Sequence, residues 1–333
     1  MTSNVDDFSK VTRQQTQSGL QAALNTQPFW VLIAIFIIGA VMSVVSDAFM
    51  TEGNLFNMTR NFAFMGIIAL GMTAVIITAG IDLSVGSLMG LSGIVAGLVL
   101  EAGGSIWLGL AACLLTAMAA GFVNGVLIAY LKLSPFVVTL GMLSIARSLA
   151  LVVSNNKMVY QFGPDEELFL ALGGGTTFGI ANPVWVLLVM TAIFSFVFRF
   201  TSWGRHVYAI GGNEQAARLT GVPVERIKVS VYVVSGLTAG IAAFLMVGWL
   251  GAVTNALGIT YELRVIAAAV IGGANLMGGA GYAIGAPIGA ALVEVIRNSL
   301  LLAGVDPYWQ GTFVGVFIIL AVLLEKIRGG RGS

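Results

Sequence analysis

The chain has 333 residues, 58% of them hydrophobic and only 9% charged, and its mean hydropathy is +0.95. An average soluble domain carries roughly 25% charged residues, so a soluble fold of this length is excluded. The net charge of +1 supplies no basic field for nucleic acid, and the single cysteine, Cys113, excludes an internal disulfide. Cys113 lies in an apolar run and reads as a small buried hydrophobe. The sequence describes an all-α polytopic membrane protein, and its 43 glycines suit close packing of membrane helices.

Taken in chain order, residues 1–27 are polar and read as a cytoplasmic N-terminal tail. A cleaved signal peptide begins its apolar core sooner. The first span is predicted at Phe29–Ser46, the second at Asn61–Ala79 and the third at Ser84–Leu100. The fourth covers Ile106–Leu131, the fifth Pro135–Ser154, the sixth Pro183–Phe200 and the seventh Ile227–Leu250. The stretch from Val265 to Leu302 is long enough for two spans, broken by Gly278, Gly279, Gly281, Gly285 and Pro287, or for a re-entrant segment. Thr312–Leu324 is the last of about ten. Residues 28–328 thus read as one transmembrane domain and 329–333 as a cytoplasmic tail.

Loop charge orients this arrangement. With the N-terminus (Lys10, Arg13) inside, alternation places Lys132, the loop carrying Arg205, Arg218, Arg226 and Lys228, and the tail with Lys326, Arg328 and Arg331 on the same side. Asp47, Glu52, Glu101, Asp165, Glu166, Glu167, Glu262 and Asp306 fall outside, with only Arg60, Lys157 and Arg264 as bases. The outer segment from Asn155 to Asn182 reads as a solvated connector or, alternatively, as a docking surface for an outside partner.

Two glycine breaks look alike. Gly80-Ile81-Asp82-Leu83-Ser84-Val85-Gly86 matches Gly273-Ala274-Asn275-Leu276-Met277-Gly278-Gly279 as G-x-[DN]-L-x-x-G, at an offset of 193 residues. Both fall between an inward and an outward span, so they suggest a pseudo-repeat of two halves. Paired breaks of this kind mark the substrate path in transporters. The glycines at issue are Gly80, Gly86, Gly273 and Gly279. Asp82 is the only charge between Arg60 and Glu101, and an intramembrane carboxylate is costly. It reads either as a cap on the following helix, together with Ser84, or as part of the path or gate. Asn275 has the same two readings. Asn124, alone in the fourth span, reads first as an interhelical hydrogen bond. Glu294 and Arg297, three apart, read as a structural ion pair. Arg147 is expected to snorkel outward.

The loop over 201–228 contains a short capped helix. Asn213 is a good N-cap, Glu214 favours the positive end and Arg218 the negative end, Gly221 can take the left-handed stop, and Pro223 prevents continuation. A helix over Glu214–Thr220 is too short to stand alone in water. It needs a surface to lie on. His206, the sole histidine, has no companion ligands for a metal.

Three motifs together resemble the permease subunits of ribose/xylose/galactose-type bacterial ABC sugar importers. They are G-I-D-L-S-V-G-S at Gly80–Ser87, G-R-x-x-Y-A-I-G-G-N-x-x-A-A-R-L-x-G-V at Gly204–Val222, and V-I-G-G-x-x-L-x-G-G-x-G at Val270–Gly281. The resemblance covers about residues 28–328 and implies the ABC importer permease fold in a bacterial inner membrane. It implies a cytoplasmic ATPase, often two ATPase domains in one chain, a periplasmic sugar-binding protein, and a second permease chain, identical or paralogous. The helix at Glu214–Thr220 becomes the coupling helix, with Asn213, Glu214, Ala217, Arg218 and Gly221 as its contacts. ATP and magnesium belong to the ATPase, and this chain is expected to hold no cofactor.

The sequence fits that division of labour. No lysine follows a glycine, so there is no G-x-x-x-x-G-K-[ST] loop to cradle ATP phosphates. H-E-x-x-H and G-x-S-x-G are absent, and no catalytic residue is expected. The predicted function is alternating access for a monosaccharide or small polyol, with Asp82, Ser84, Asn124 and Asn275 as first candidates for the path. The rival is an ATP-independent secondary transporter or channel, for which more intramembrane acids or histidines are expected.

Overall fold

A computed structural model describes residues 26–306, 309, 311–313 and 315–316. The tail before residue 26, most of the span expected at Thr312–Leu324 and the tail after it lie outside the described residues. The helices are α1 (Gln27–Val45), α2 (Glu52–Ile77), α3 (Val85–Glu101), α4 (Ile106–Ala129), α5 (Pro135–Val153), α6 (Glu166–Gly174), α7 (Asn182–Phe200), α8 (Ser202–Gly212), α9 (Glu214–Leu219), α10 (Val224–Leu250), α11 (Tyr261–Ile271) and α12 (Gly285–Leu302). A two-stranded hairpin, Thr176–Thr177 with Ile180–Ala181, joins α6 to α7.

Seven of these helices are long and apolar enough to cross a membrane, and α3, with 17 residues, is a shorter apolar helix. Two kinds of span are evident. α2 and α10 are buried for most of their length, whereas α1, α4, α5 and α7 turn large apolar side chains outward, among them Phe36, Leu115, Val137 and Phe196. A helix that is apolar all round belongs either in a core or in lipid, and here both cases occur in one bundle. The central contact is α10 on α4. It is a crossing of small residues, with Gly121 and Gly125 of α4 set against the backbone of Tyr232 and Val229, and Gly236 of α10 against the Ala117 carbonyl. A Cβ at Gly121 would stand 2.3 Å from the Tyr232 oxygen. Lipid removes the usual hydrophobic drive, so such close backbone contact holds membrane helices together.

Several sequence expectations are corrected. α2 begins at Glu52, nine residues before the predicted Asn61, because Arg60 is tolerated within it: its guanidinium lies 4.3 Å from the Trp249 ring centroid. Val265–Leu302 does not give two full crossings. α11 has 11 residues and spans about 16 Å, roughly half of a ~30 Å hydrocarbon core. The connector over 155–182 is mostly exposed, in keeping with either reading of it, and is also tied to the bundle. Phe162 and Phe169 stack edge to face, Phe169 meets Phe244 of α10, and Asp165 accepts the α4 amide of Ile106 at 2.8 Å. Arg147 does not snorkel. It turns inward and donates to the carbonyls of Asn255 and Leu257 in the chain between α10 and α11. Glu294 and Arg297 do form their pair, with Nε to Oε2 at 2.7 Å.

The helix ends sort into two faces. One carries α8, α9, the C-terminal ends of α2 and α11 and the N-terminal ends of α10 and α12, while α3 begins inside the bundle, where Gly86 meets Gly258. The opposite face carries α6 and the hairpin.

Candidate functional site

The short helix forms as its sequence dictates. Asn213 Oδ1 accepts from the Ala216 amide at 2.9 Å, and Gly221, at φ +85°, closes the other end while the Val222 amide reaches back to Ala217. Thr220 is its C-cap, so α9 stops one residue before the predicted end. Ala217 is buried, turned toward the protein and away from any outside surface. Glu214 binds Lys228 at 2.5 Å and lies 3.6 Å from Arg218, which also binds Glu225. The Glu225 carboxylate holds the Arg218 guanidinium above its ordinary pKa. These charges staple α9 to the first turns of α10. The large apolar residue left outward is Leu219, 89% exposed. Sequence reasoning passed over it in favour of the charged residues, although an apolar side chain in a polar loop was signal enough.

The residues before α9 also form a helix. α8 is amphipathic and turns Gly204, Val207 and Ile210 inward. Trp203 Nε1 donates to Ser230 of α10 at 2.7 Å. At its far end α8 meets both glycine breaks. A Cβ at Gly211 would lie 1.7 Å from the Ile77 carbonyl and 2.4 Å from the Gly279 nitrogen. The Gly279 amide itself donates to Ile77 at 2.9 Å, joining the two breaks. Tyr208 donates to the Gly281 carbonyl at 2.7 Å, and burial pushes its hydroxyl pKa up, so it stays a donor.

The breaks share a helix stop, but not in the predicted register. Ala79, at φ +58°, and Gly273, at φ +99°, occupy the left-handed position after α2 and α11. The Gly80 amide then returns to Val75 and the Ala274 amide to Ala269. Gly273 therefore corresponds to Ala79, an offset of 194, and Gly80 is the next residue along. Gly86 lies inside α3, whereas Gly279 lies in a loop.

Beyond the stop the breaks diverge. The first seals a polar knot. Asp82 Oδ1 accepts from the Ser84 amide at 2.9 Å and hydroxyl at 2.6 Å, and Oδ2 accepts from Ser235 of α10 at 2.8 Å. Asn124 of α4 donates to Ser84 at 3.0 Å. Asp82, Ser84 and Asn124 are 0% exposed. The carboxylate also sits at the N-terminal end of α3, where the helix dipole favours it. Asn124 Oδ1 and the Tyr232 hydroxyl have no partner among the described residues. Asn275 is elsewhere, half-buried in the second break, where it accepts the Met277 amide at 2.7 Å. Asp82, Ser84 and Asn124 thus come together, and Asn275 does not join them.

A membrane bundle with paired helix breaks, both touched by one polar loop, is a transport permease in its architecture. Residues 54–322 match the family of the permease component of branched-chain amino acid transport systems, and the chain belongs to that family. It is 39% identical over 296 residues to the ribose import permease protein RbsC of Escherichia coli K12, covering 89% of this chain and 92% of the relative. RbsC of Bacillus subtilis strain 168 is 35% identical, with 88% and 91% covered. The L-arabinose ABC transporter permease AraH of Azospirillum brasilense is 35% identical, with 90% and 87% covered. The chain is the permease subunit of an ABC importer, not an enzyme, and a multi-pass protein of the inner membrane that works with an ATPase and a binding protein.

Proposed function

We propose that this permease carries a monosaccharide or closely related polyol, inward and at the expense of ATP hydrolysed by its partner. The α9 face is cytoplasmic in this reading. Lys132, Arg205, Arg218, Arg226 and Lys228 gather there, while Asp47, Glu52, Glu101, Asp165, Glu166 and Glu167 gather on the α6 face. The ATPase, with its bound ATP and magnesium, seats on α9 and takes Leu219 as an apolar anchor. The sugar-binding protein docks on the acidic α6 face, and a second permease chain, identical or paralogous, completes the path.

The observation that carries this reading is the seat of α8. One rigid element joins the ATPase-facing helix to the ends of α2 and α11 through Gly211 and Tyr208. Displacing α9 therefore bears on both breaks, and in this reading the second yields. Asp82, Ser84 and Asn124 act as the latch between α3, α4 and α10, and that latch must part or shift as a unit during transport.

The reading is tested by reconstituting the chain with its ATPase and binding protein in proteoliposomes and measuring uptake of labelled ribose and arabinose. Uptake is expected only with all components and ATP. Transport without the ATPase would instead establish the ATP-independent carrier.

A further inference from the structure

The chain between α10 and α11 leaves the α6 face and descends into the bundle without forming a helix. Gly251, at φ +64°, ends α10, and Val253 pairs with Val159 through hydrogen bonds of 2.8 and 3.0 Å. The segment then follows a side of α3 that carries Gly86, Gly90, Gly93 and Gly97. A Cβ at Gly97 would lie 3.0 Å from Val253, at Gly93 3.1 Å from Leu257, and at Gly86 2.3 Å from the Gly258 carbonyl. From Gly97 to Gly86 is eleven helical residues, about 16 Å along the axis. Gly258 is therefore about 22 Å from the Glu101 end of α3. α11 begins at membrane depth, and the chain leading to it is irregular backbone at that depth.

Irregular backbone is tolerated in the hydrocarbon region only where protein buries it or where it lines water. Among the described residues, protein covers one side of this segment and leaves the other open. Ala256, Ile259 and Thr260 are exposed, and Thr254 and Asn255 are half-exposed. The open side forms a cavity of about 430 Å³ whose walls include Met246, Leu250, Thr254, Ala256, Ile259 and Tyr261. The covered side is pinned by a cation beside Gly90 of α3: Arg147 donates to the carbonyls of Asn255 and Leu257, and Asn255 Nδ2 donates to Asn156 at 2.7 Å. The side chains around the cavity are mostly apolar, but open irregular main chain at this depth does not belong against lipid. Thr260, at φ +65°, holds a conformation that non-glycine residues rarely adopt, as expected where function constrains the turn.

We propose that residues 254–260, pinned by Arg147, form the water-lined wall of the translocation path, the surface that a small neutral polar solute meets on its way to α11. The sealed knot around Asp82 is then a latch and not the lining. The assignment rests on the transport reading for its solute, but its test does not depend on which solute is carried.

Cys113 is fully buried, so a Cys113→Ala background suits accessibility labelling. Single cysteines are placed at Ala256, Ile259 and Thr260 and, as lipid-facing controls, at Leu115 and Phe196, each in the assembled transporter with ATPase and binding protein. A charged, membrane-impermeant methanethiosulfonate is expected to label the first three and spare the controls, while a lipid-soluble maleimide labels both controls and so verifies folded, inserted protein. Trapping the complex with ATP and vanadate is expected to change the rate at 259 or 260 by about tenfold, as a wall of an alternating path requires. Absence of charged-reagent labelling at all three positions, or rates unmoved by nucleotide, overturns the proposal. Failure of ribose or arabinose uptake with labelling intact counts against the sugar reading alone.

Discussion

The two helix breaks start alike and end differently. α2 and α11 both stop on a left-handed residue followed by an amide that returns five residues. From there the first break reaches α3 within seven residues and hides its carboxylate completely, whereas the second takes thirteen, over 272–284, and stays partly open. The first is held by side chains of α4 and α10. The second is held through its own main chain, by the Gly279 amide on Ile77 and by the Tyr208 hydroxyl on the Gly281 carbonyl. A short turn pinned by side chains of two neighbouring helices resists displacement, while a long turn fastened chiefly to α8 follows that helix. In the proposed function this contrast makes the first break the anchor and the second the moving part, with α8 as the element that moves it.

Substitutions can break this contrast, beginning with the largest expected effect. Gly211→Val places a side chain against backbone on both breaks at once. Overpacking costs about 1–3 kcal/mol even where neighbours can yield, and here they are main chain, so ATP-driven uptake should be lost while the ATPase still binds. Normal uptake by this variant would show that α8 does not link the breaks. Asp82→Ala leaves the Ser235 hydroxyl and the Ser84 donors without their acceptor. Buried orphaned donors cost about 1–3 kcal/mol, and the loss should appear as a lower melting temperature in detergent. An unchanged melting temperature would remove the anchor role.

Tyr208→Phe removes one hydrogen bond to the second break and nothing from the first, with a cost of about 1 kcal/mol. It should reduce uptake per ATP hydrolysed more than it reduces stability, and an equal fall in both would make Tyr208 merely structural. The finest test exchanges the two stop residues. Ala79→Gly relieves a left-handed alanine and should stabilise by about 1 kcal/mol, and Gly273→Ala should cost a similar amount. Effects of the same sign from both substitutions would separate the two stops.

Much of this molecule was legible in its sequence, and the reason is locality. Long apolar runs, prolines at helix starts and the capping residues of α9 act over three or four positions, so the bundle and the Glu214 helix follow from neighbours along the chain. The arrangement of the site does not. Asp82 meets Ser235 across 153 residues, and Asn124 meets Ser84 across 40. Glycine matching paired Gly80 with Gly273, but the backbone gives the equivalent position to Ala79, because a stop is defined by φ and its hydrogen bonds, and packing can impose that conformation on alanine. Arg147 read as a residue seeking water along its own helix, and it found carbonyls of a segment more than a hundred residues away. The sequence determined a bilayer protein with a capped loop helix. Only tertiary structure decided which polar groups are sealed, which backbone lies open at membrane depth, and that α8 bears on both breaks, since each depends on contacts between distant segments that local propensity does not encode.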